Sequence, residues 1–536
     1  MSRRNNLKLF EFHKNLYEKA LNVANDYGSI GSPTILQYAD DFYKSLPKSF
    51  KDSDLNSVLT ELELSDVLLY GDFHTHWQTQ KGLIRILESY ITLHPEREIV
   101  LAVEMFRAAD QEILNQYLRE EISEDILLKK TDYEMIWGFP WENYKAIVDF
   151  AKDNGIQLVG INSDKAGRDS LKRRDVFAAS VLNELVESYP ESLCICLIGE
   201  FHLGDNHLPD KLKAFDLKVT RILTNIDQFY FARRAMTDYS NNDYLLLKEG
   251  LYCLLNSPPW IKWQSYSLWE EMKAAERDQE FEEFHTFASF DIDCQIMSVL
   301  MHLTEFLNLN FREIELSNFH SYWNLEGLDI SSFYQNKEVS SYTKDIVDSR
   351  LKIDKMFFIP EKKIVLLNKV SLNHIAEVSG QILFNMIHPI SPEMSEEDYF
   401  FHRTMMISSG LFATKILNPR YKSPDIYQFE SNLSKLARKR LTDGDRVYRD
   451  ALRYVVKTYY RFIRGSHRMH GSVVEKDRNA SGIYSLMLGQ LLASETYKYV
   501  MHPHSSQDFG DSLYFKASSE TMRDAFQAMT AKLFKA

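Results

Sequence analysis

A chain of 536 residues with 44% hydrophobic and 26% charged residues has the composition of a folded protein with several domains, which excludes a disordered chain. Its net charge of −13 argues against binding of duplex DNA or another polyanion, because such binding depends on clustered lysine and arginine. No apolar run approaches the roughly 18 residues that a membrane span needs, so we expect no membrane span.

Residues 1–54 are predicted to form a helical segment with a turn at YGSIGSP. The chain start is basic but lacks the apolar stretch of a signal peptide, and no nearby cysteine could carry a lipid. Cys194 and Cys196 alternate along one apolar strand and therefore suit buried thiols better than a disulfide. We expect a cytoplasmic protein.

Residues 55–235 are predicted to form an α/β domain. Short apolar runs alternate there with segments whose apolar residues recur at helical spacing. The predicted strands are residues 67–70, 99–103, 157–161, 193–198 and 218–223. Continuously apolar strands that alternate with helices predict a mostly parallel sheet with helices on both faces. Asn154-Gly155, before the third strand, predicts a helix end with Gly155 in the left-handed conformation.

Residues 236–536 are predicted to be a mainly α-helical region, in one or two subdomains, which could bind a protein partner. One β-hairpin is predicted at residues 355–370, around a Pro-Glu-Lys-Lys turn. His374, Glu377 and Gln381 share a helical face and are interpreted as a polar patch at a helix end or domain interface. The histidine pairs His467/His470 and His502/His504 lack an acid or cysteine at fitting spacing, which argues against metal sites there.

Acidic residues and histidines follow four of the predicted strands, where each strand ends. They are Asp72, His74 and His76 after the first strand, Glu104 after the second, Asn162 and Asp164 after the third, and Glu200, His202 and His207 after the fourth. The carboxyl ends of parallel strands lie along one edge of a sheet, where ligands bind. Gly71 and Gly199 allow the chain to turn off the strand, so we expect these side chains to face one crevice.

Two carboxylates and two histidines at one place can do one of two jobs. They can hold a divalent transition metal and leave a coordination position open. Without a metal, a carboxylate–histidine pair can act as general acid and base. The residue types do not decide between these roles. Ordinary polar strand ends are a third interpretation, but the repeat of Gly-acid-Phe-His argues against it.

The segments YGDFHTHWQTQ, AVEMFRAADQ, WENYKAIVDFAKDNGIQLVGIN and LIGEFHLGDNHLP occur in this order and together resemble ChaN-like proteins. These belong to a superfamily with the Tiki proteases, the TraB/PrgY proteins and the erythromycin esterases. The resemblance covers roughly residues 60–230 and implies an α/β domain with its site at the carboxyl edge of the sheet. It implies binding of haem, as ChaN does in bacterial iron uptake, or metal-dependent hydrolysis of an ester or peptide, as in the relatives.

Carried over by residue, the resemblance gives a specific site. We expect His74, His202, Asp72 and Glu104 to hold haem or a divalent transition metal, with Glu104 and Glu200 catalytic in a hydrolase. Around these ligands we expect residues that contact the ligating side chains: His76, His207, Asn162 and Gln111. Two further residues, Trp141 and Tyr144, match the aromatic start of a helix in the family. Asp72 stands where the family has glutamate, and its shorter side chain makes direct metal contact harder. A non-catalytic interaction scaffold is the remaining alternative.

Overall fold

The computed structural model describes residues 3–27, 33–163, 170–236, 243–281, 292–323, 325–467 with short gaps, 478–502, a few positions between 505 and 515, and 521–534. Contacts within the chain define two compact units, one of residues 16–285 and one of residues 1–15 and 286–536. The sequence-based division at residues 54/55 and 235/236 stays a prediction.

An eight-stranded sheet is the centre of the unit of residues 16–285. Its strands are β1 Lys51–Ser53, β2 Val67–Asp72, β3 Ile99–Arg107, β4 Gln157–Asn162, β5 Leu193–Gly199, β6 Val219–Thr224, β7 Tyr244–Lys248 and β8 Leu251–Leu254. They lie in the order β1-β7-β8-β6-β2-β5-β3-β4. All pairs from β8 to β4 are parallel, and only β1–β7 and β7–β8 are antiparallel. The predicted mostly parallel α/β sheet is confirmed.

Helices connect these strands. They are residues 16–26 of Arg3–Asp26, then Pro33–Ser45, Leu55–Glu63, Trp77–Leu93, Gln111–Leu118, Glu124–Lys130, Tyr133–Ile136, Trp141–Asp153, Ser170–Ser188, Leu208–Leu212, Asp227–Met236 and Pro259–Phe281, with 3₁₀ turns at Ala108–Asp110, Glu200–Leu203 and Lys213–Phe215. Gly155 has φ +65°, the left-handed conformation predicted for it.

The central strands are apolar throughout because both faces of the sheet are covered. Every residue of β2 and of β5 is buried, although successive side chains of a strand point to opposite faces. Cys194 and Cys196 are among these residues and are free, buried thiols, as predicted. The strands β7 and β8 were not predicted; they are two short strands of an antiparallel hairpin that turns at Gly250, which has φ +65°.

The unit of residues 1–15 and 286–536 is mainly helical, as predicted. Besides residues 3–15, its helices are Ile292–Leu307, Glu313–Leu316, Leu372–Ile387, Glu396–Leu417, Ile426–Leu436, Asp443–Ile463, Arg478–Met501 and Met522–Leu533, with a 3₁₀ turn at Ile330–Phe333. The predicted hairpin is confirmed as β10 Met356–Ile359 and β11 Ile364–Leu367, and β9 His320–Trp323 pairs in parallel with β11. Within the described parts of the chain, no helix has the length and apolar character needed to cross a membrane.

Candidate ligand-binding site at the carboxyl edge of the sheet

The two Gly-acid-Phe-His sequences lie side by side because β2 and β5 are adjacent parallel strands. Asp72, the last residue of β2, is paired with Gly199, the last residue of β5. The chain leaves both strands at the same level of the sheet, and His74 and His202 follow two and three residues later. Residues distant in sequence are thereby brought to one edge.

His74 belongs to a hydrogen-bonded group that we call the first Tyr–Asp–His group: Tyr144, Asp72 and His74. The Tyr144 hydroxyl donates to Asp72 Oδ2 at 2.6 Å, and His74 Nδ1 lies 2.9 Å from the same oxygen. Gln80 Nε2 donates to Asp72 Oδ1 at 2.5 Å. Because an ionised carboxylate only accepts, Nδ1 of His74 carries a proton, so in the neutral imidazole the lone pair is on Nε2. Burial lowers the pKa of His74, but Asp72, Glu104 and Glu200 outweigh burial and raise it.

His202 belongs to a second Tyr–Asp–His group: Tyr38, Asp175 and His202. The Tyr38 hydroxyl donates to Asp175 Oδ2 at 2.7 Å, and His202 Nδ1 lies 2.7 Å from Asp175 Oδ1. His207 supports this group, since its ring stacks on Tyr38 at 3.7 Å and its Nδ1 lies 2.6 Å from Phe201 O. The two groups have the same connectivity, in which tyrosine and histidine share one aspartate.

The groups differ in exposure. The His74 side chain is 24% exposed, whereas that of His202 is 5% exposed. His74 has no hydrogen-bond partner at Nε2 among the residues that the structure describes, whereas His202 Nε2 faces Glu104 Oε1 at 3.6 Å. An incoming ligand would therefore meet His74, and His202 lies behind it.

Glu104 is a buried carboxylate between the two histidines. Its Oε2 accepts a hydrogen bond from Gly199 N at 2.8 Å, and Gly199 has no side chain that would collide with the His74 ring. Burial alone would raise the pKa of Glu104, but the cationic forms of His202 and His74, the Arg174 guanidinium and the Gly199 N–H outweigh burial and lower it. Glu104 is thus held as a carboxylate.

A bulge in β3 sets the direction of Glu104. Val103 is paired with Gly160 but Arg107 with Asn162, so β3 carries extra residues between these positions. Gln111 stabilises β4 beside the bulge, because its Nε2 donates to Leu158 O at 2.8 Å and its Oε1 accepts from Gly160 N at 3.1 Å. Gln111 thus acts on the strand that supports Glu104 and lies outside the ligand contacts.

Glu200 is buried beside a second charge cluster. Its Oε2 is enclosed and has no hydrogen-bond partner in the described part of the chain. Burial raises the pKa of Glu200 to about 7; Asp227 adds to this rise and the Lys262 ammonium opposes it. Lys262 is itself buried and pairs with Asp227 Oδ1 at 2.7 Å. Glu200 is consequently a carboxyl group that exchanges a proton near neutral pH.

Aromatic rings surround the exposed side of His74. Its ring centroid lies 4.6 Å from that of Trp137 and 4.6 Å from that of Phe139. Phe139 in turn stacks on Trp269 at 4.8 Å, and Met135 beside them is 81% exposed. Trp137 and Phe139 therefore pack against the His74 imidazole, and Trp269 extends this aromatic cluster.

Other sequence-predicted residues lie at or near this edge in different roles. His76 is fully buried between Thr79 Oγ1 at 3.1 Å and Ser257 Oγ at 3.0 Å, and burial lowers its pKa to about 3, so it is a neutral core residue and does not face the ligand edge. Asn162 is buried at the end of β4. Trp141 packs on Phe106 and Tyr133. Asp164, His470 and His504 lie outside the described residues.

Four residues of the site were not predicted from the sequence: Tyr38, Arg174, Asp175 and Lys262. Arg174 lies in a run of basic residues with no recognised motif, yet its Nη1 lies 3.6 Å from Glu104 Oε1. Asp175 was within reach of sequence reasoning, since the helix Ser170–Ser188 follows β4 and begins near the carboxyl edge. Tyr38 and Lys262 come from helices that flank the ChaN-like segment and carry no motif.

The donor set does not form a metal centre in the part of the chain that is described. No three histidine, cysteine, aspartate or glutamate side chains come together there in a geometry that holds a metal ion. The physical reason lies in the two aspartates: each is turned towards the Nδ1 of its histidine and a tyrosine hydroxyl. Both carboxylate oxygens of Asp72 are hydrogen-bonded, to Gln80, Tyr144 and His74, and its role as a direct ligand stays a prediction.

Comparison with known proteins gives one family. The family described as haem-binding uptake, Tiki superfamily, ChaN matches residues 58–195. The ChaN of Campylobacter jejuni, whose structure is described as showing cofacial haem binding, is 15% identical over 38% of this chain and 98% of its own, with a TM-score of 0.28. That similarity is too low to transfer residue roles. No curated relative matches the chain. Residues 58–195 are therefore similar to the ChaN family of haem-binding proteins in the Tiki superfamily, as the sequence motifs predicted.

Proposed function

We propose that the unit of residues 16–285 binds haem at the carboxyl edge of its sheet, with His74 Nε2 as the ligand of the iron. The observation that carries this proposal is the state of His74: its Nδ1 is fixed by Asp72, its side chain is 24% exposed, and Nε2 is unpaired within the described residues. A histidine whose second nitrogen is bonded to a carboxylate is oriented and made more basic as a metal ligand.

The surroundings of His74 suit a flat apolar ring system. Trp137 and Phe139 flank the imidazole, and Trp269 extends the aromatic surface. Porphyrin faces bury apolar area against such rings, which contributes to binding independently of the iron bond. The similarity of residues 58–195 to a haem-binding family supports the same ligand.

Haem titration of the full chain, followed by the Soret band, tests this proposal. We expect the wild type to give a histidine-ligated spectrum, His74→Ala to lose it, and added imidazole to restore it by filling the vacated space. His202→Ala is the matched control, since it removes the same side chain from an equivalent Tyr–Asp–His group that is 5% exposed. If His74→Ala retains the wild-type spectrum and affinity, the assignment of His74 is wrong.

A second candidate function is metal-free hydrolysis of an ester or amide, and the placement of Glu104 favours it. A buried carboxylate between two carboxylate-held histidines, with the protonatable Glu200 nearby, has the groups that general acid–base catalysis requires. Hydrolysis of generic esters by the purified chain, insensitive to chelators and lost in Glu104→Gln, would support it.

The pH profile of that hydrolysis should carry the signature of Glu200. A general acid must be protonated, and burial places the pKa of Glu200 at about 7, so the rate should fall as pH rises above that value. Glu200→Gln should remove this descending limb, because glutamine cannot titrate. An unchanged limb in the variant would assign it to another group. A chain that neither binds haem nor hydrolyses esters would leave the interaction scaffold as the remaining alternative.

A further inference from the structure

Arg174 lies at the same edge and has hydrogen-bonding capacity left over. Its side chain is 35% exposed, and the one ion pair that the structure gives it joins Nη1 to Glu104 Oε1 at 3.6 Å. That separation is longer than an N–H···O hydrogen bond. Its Nε is enclosed by protein without a hydrogen-bond partner among the described residues. A guanidinium offers five N–H donors in a planar fork. Most of the Arg174 donors therefore have no protein acceptor among the described residues.

The Glu104 carboxylate is not a hydrogen-bond acceptor for Arg174, because its oxygens face other groups. Its Oε2 accepts from Gly199 N at 2.8 Å, and its Oε1 also faces His202 Nε2 at 3.6 Å. The hydrogen bond from Gly199 N orients the carboxylate, and in this orientation Oε1 stays 3.6 Å from the Arg174 guanidinium. The described residues thus leave Arg174 without a hydrogen-bond acceptor, and a bound ligand can supply one.

Arg174 and His74 lie on either side of the Glu104 carboxylate. The position that a side chain on Gly199 would occupy is 3.3 Å from the His74 ring and 3.5 Å from Glu104 Oε2, which places His74 beside that oxygen. Arg174 approaches the other oxygen, Oε1. His74 and Arg174 thus both act on the Glu104 carboxylate, His74 near Oε2 and Arg174 near Oε1.

We propose that Arg174 binds an acidic group of the ligand, so that the site selects ligands which carry a carboxylate. This inference rests on the proposed function, and for haem the acidic group is a propionate. Arginine suits this role because its fork bonds both oxygens of a carboxylate. The helix of Arg174 also presents the exposed Lys172 near its start, which adds positive charge without a place in the site.

Two ligands that differ only in charge test the inference: haem and its dimethyl ester, whose propionates are blocked. We expect Arg174→Met to weaken haem binding about tenfold, the usual scale for loss of a charge-assisted hydrogen bond, and to leave binding of the ester unchanged. Arg174→Lys should fall between, because it keeps the charge and loses the fork. Lys172→Met makes the same charge change at an exposed neighbour and should bind both ligands as the wild type does.

The ester also reports on folding, since a misfolded variant would lose both ligands. Thermal unfolding establishes that Arg174→Met is folded, and Arg174→Lys provides a second variant. In the folded variant, equal losses for haem and ester, or no loss for either, overturn the role of Arg174 while leaving haem binding in place. A wild type that binds neither ligand overturns the proposed function and this inference with it. Tenfold selectivity for haem in the wild type that disappears in Arg174→Met supports both.

Discussion

We expect Asp72→Asn to lower the haem affinity of the chain ten- to a hundredfold. This is the usual range when a ligating histidine loses the hydrogen-bond partner of its other ring nitrogen. Asparagine has the same shape as aspartate, but its amide can donate to His74 Nδ1 where the carboxylate accepts. The proton of the imidazole then moves to Nε2, and the nitrogen that faces the ligand loses its lone pair. The Tyr144 hydroxyl, 2.6 Å from Asp72 Oδ2, also loses a charged acceptor.

Asp175→Asn is the matched control for this substitution. It makes the same change in the second Tyr–Asp–His group, where Asp175 holds His202 at 2.7 Å, but that histidine is enclosed and faces Glu104. Haem titration of both variants, with thermal unfolding to establish that each is folded, gives the comparison. Equal affinities for the two variants would show that the tautomer of His74 does not govern binding.

Gly160→Ala should destabilise the α/β unit by about 3 kcal/mol, at the upper end of the usual range for overpacking a buried site. A Cβ at this position would lie 2.4 Å from Arg107 O and 2.8 Å from Arg107 C. Both atoms are main chain at the end of the β3 bulge, so no side-chain rotation relieves the collision. The strand that carries Glu104 would have to move, and we expect haem binding to weaken together with stability.

Gly155→Ala, in the turn that precedes β4, is the control substitution. Gly155 has open space around its Cβ position but a φ of +65°, so alanine there should cost about 1 kcal/mol through backbone strain alone. Urea unfolding of both variants measures the difference. If Gly160→Ala is no less stable than Gly155→Ala, the close approach of β4 to Arg107 does not constrain the bulge.

The fold was predictable where burial alone decides it. β2 and β5 are apolar at every position because helices cover both sheet faces, and such strands can be read from the sequence. β7 and β8 were missed because they are only five and four residues long and are joined by a tight turn, so they do not give separate apolar runs divided by a helical segment.

The site was predictable only where a strand ends. His74, Glu104 and His202 were found because each directly follows or continues an apolar run, and the parallel topology brings them together. Their partners follow no such rule. Tyr38 and Asp175 lie on helices, and the sequence pattern of a helix does not distinguish a buried polar residue from an exposed one. Only the packing of the structure shows that Asp175 and Tyr38 hold His202. The hydrogen bond between Tyr144 and Asp72 was missed for the same reason, since Tyr144 lies far along the chain.

The adjacency of β2 and β5 has a consequence for how the protein is made. Between them in the chain come β3 and β4, so His74 leaves the ribosome on the order of ten seconds before His202 at usual rates of synthesis. During that interval β2 lacks both of its neighbours, β5 and β6. Glu104 likewise lacks the Gly199 N–H that fixes it. The sheet edge that carries His74 is therefore completed only after β5 and β6 have been synthesised and have paired with β2.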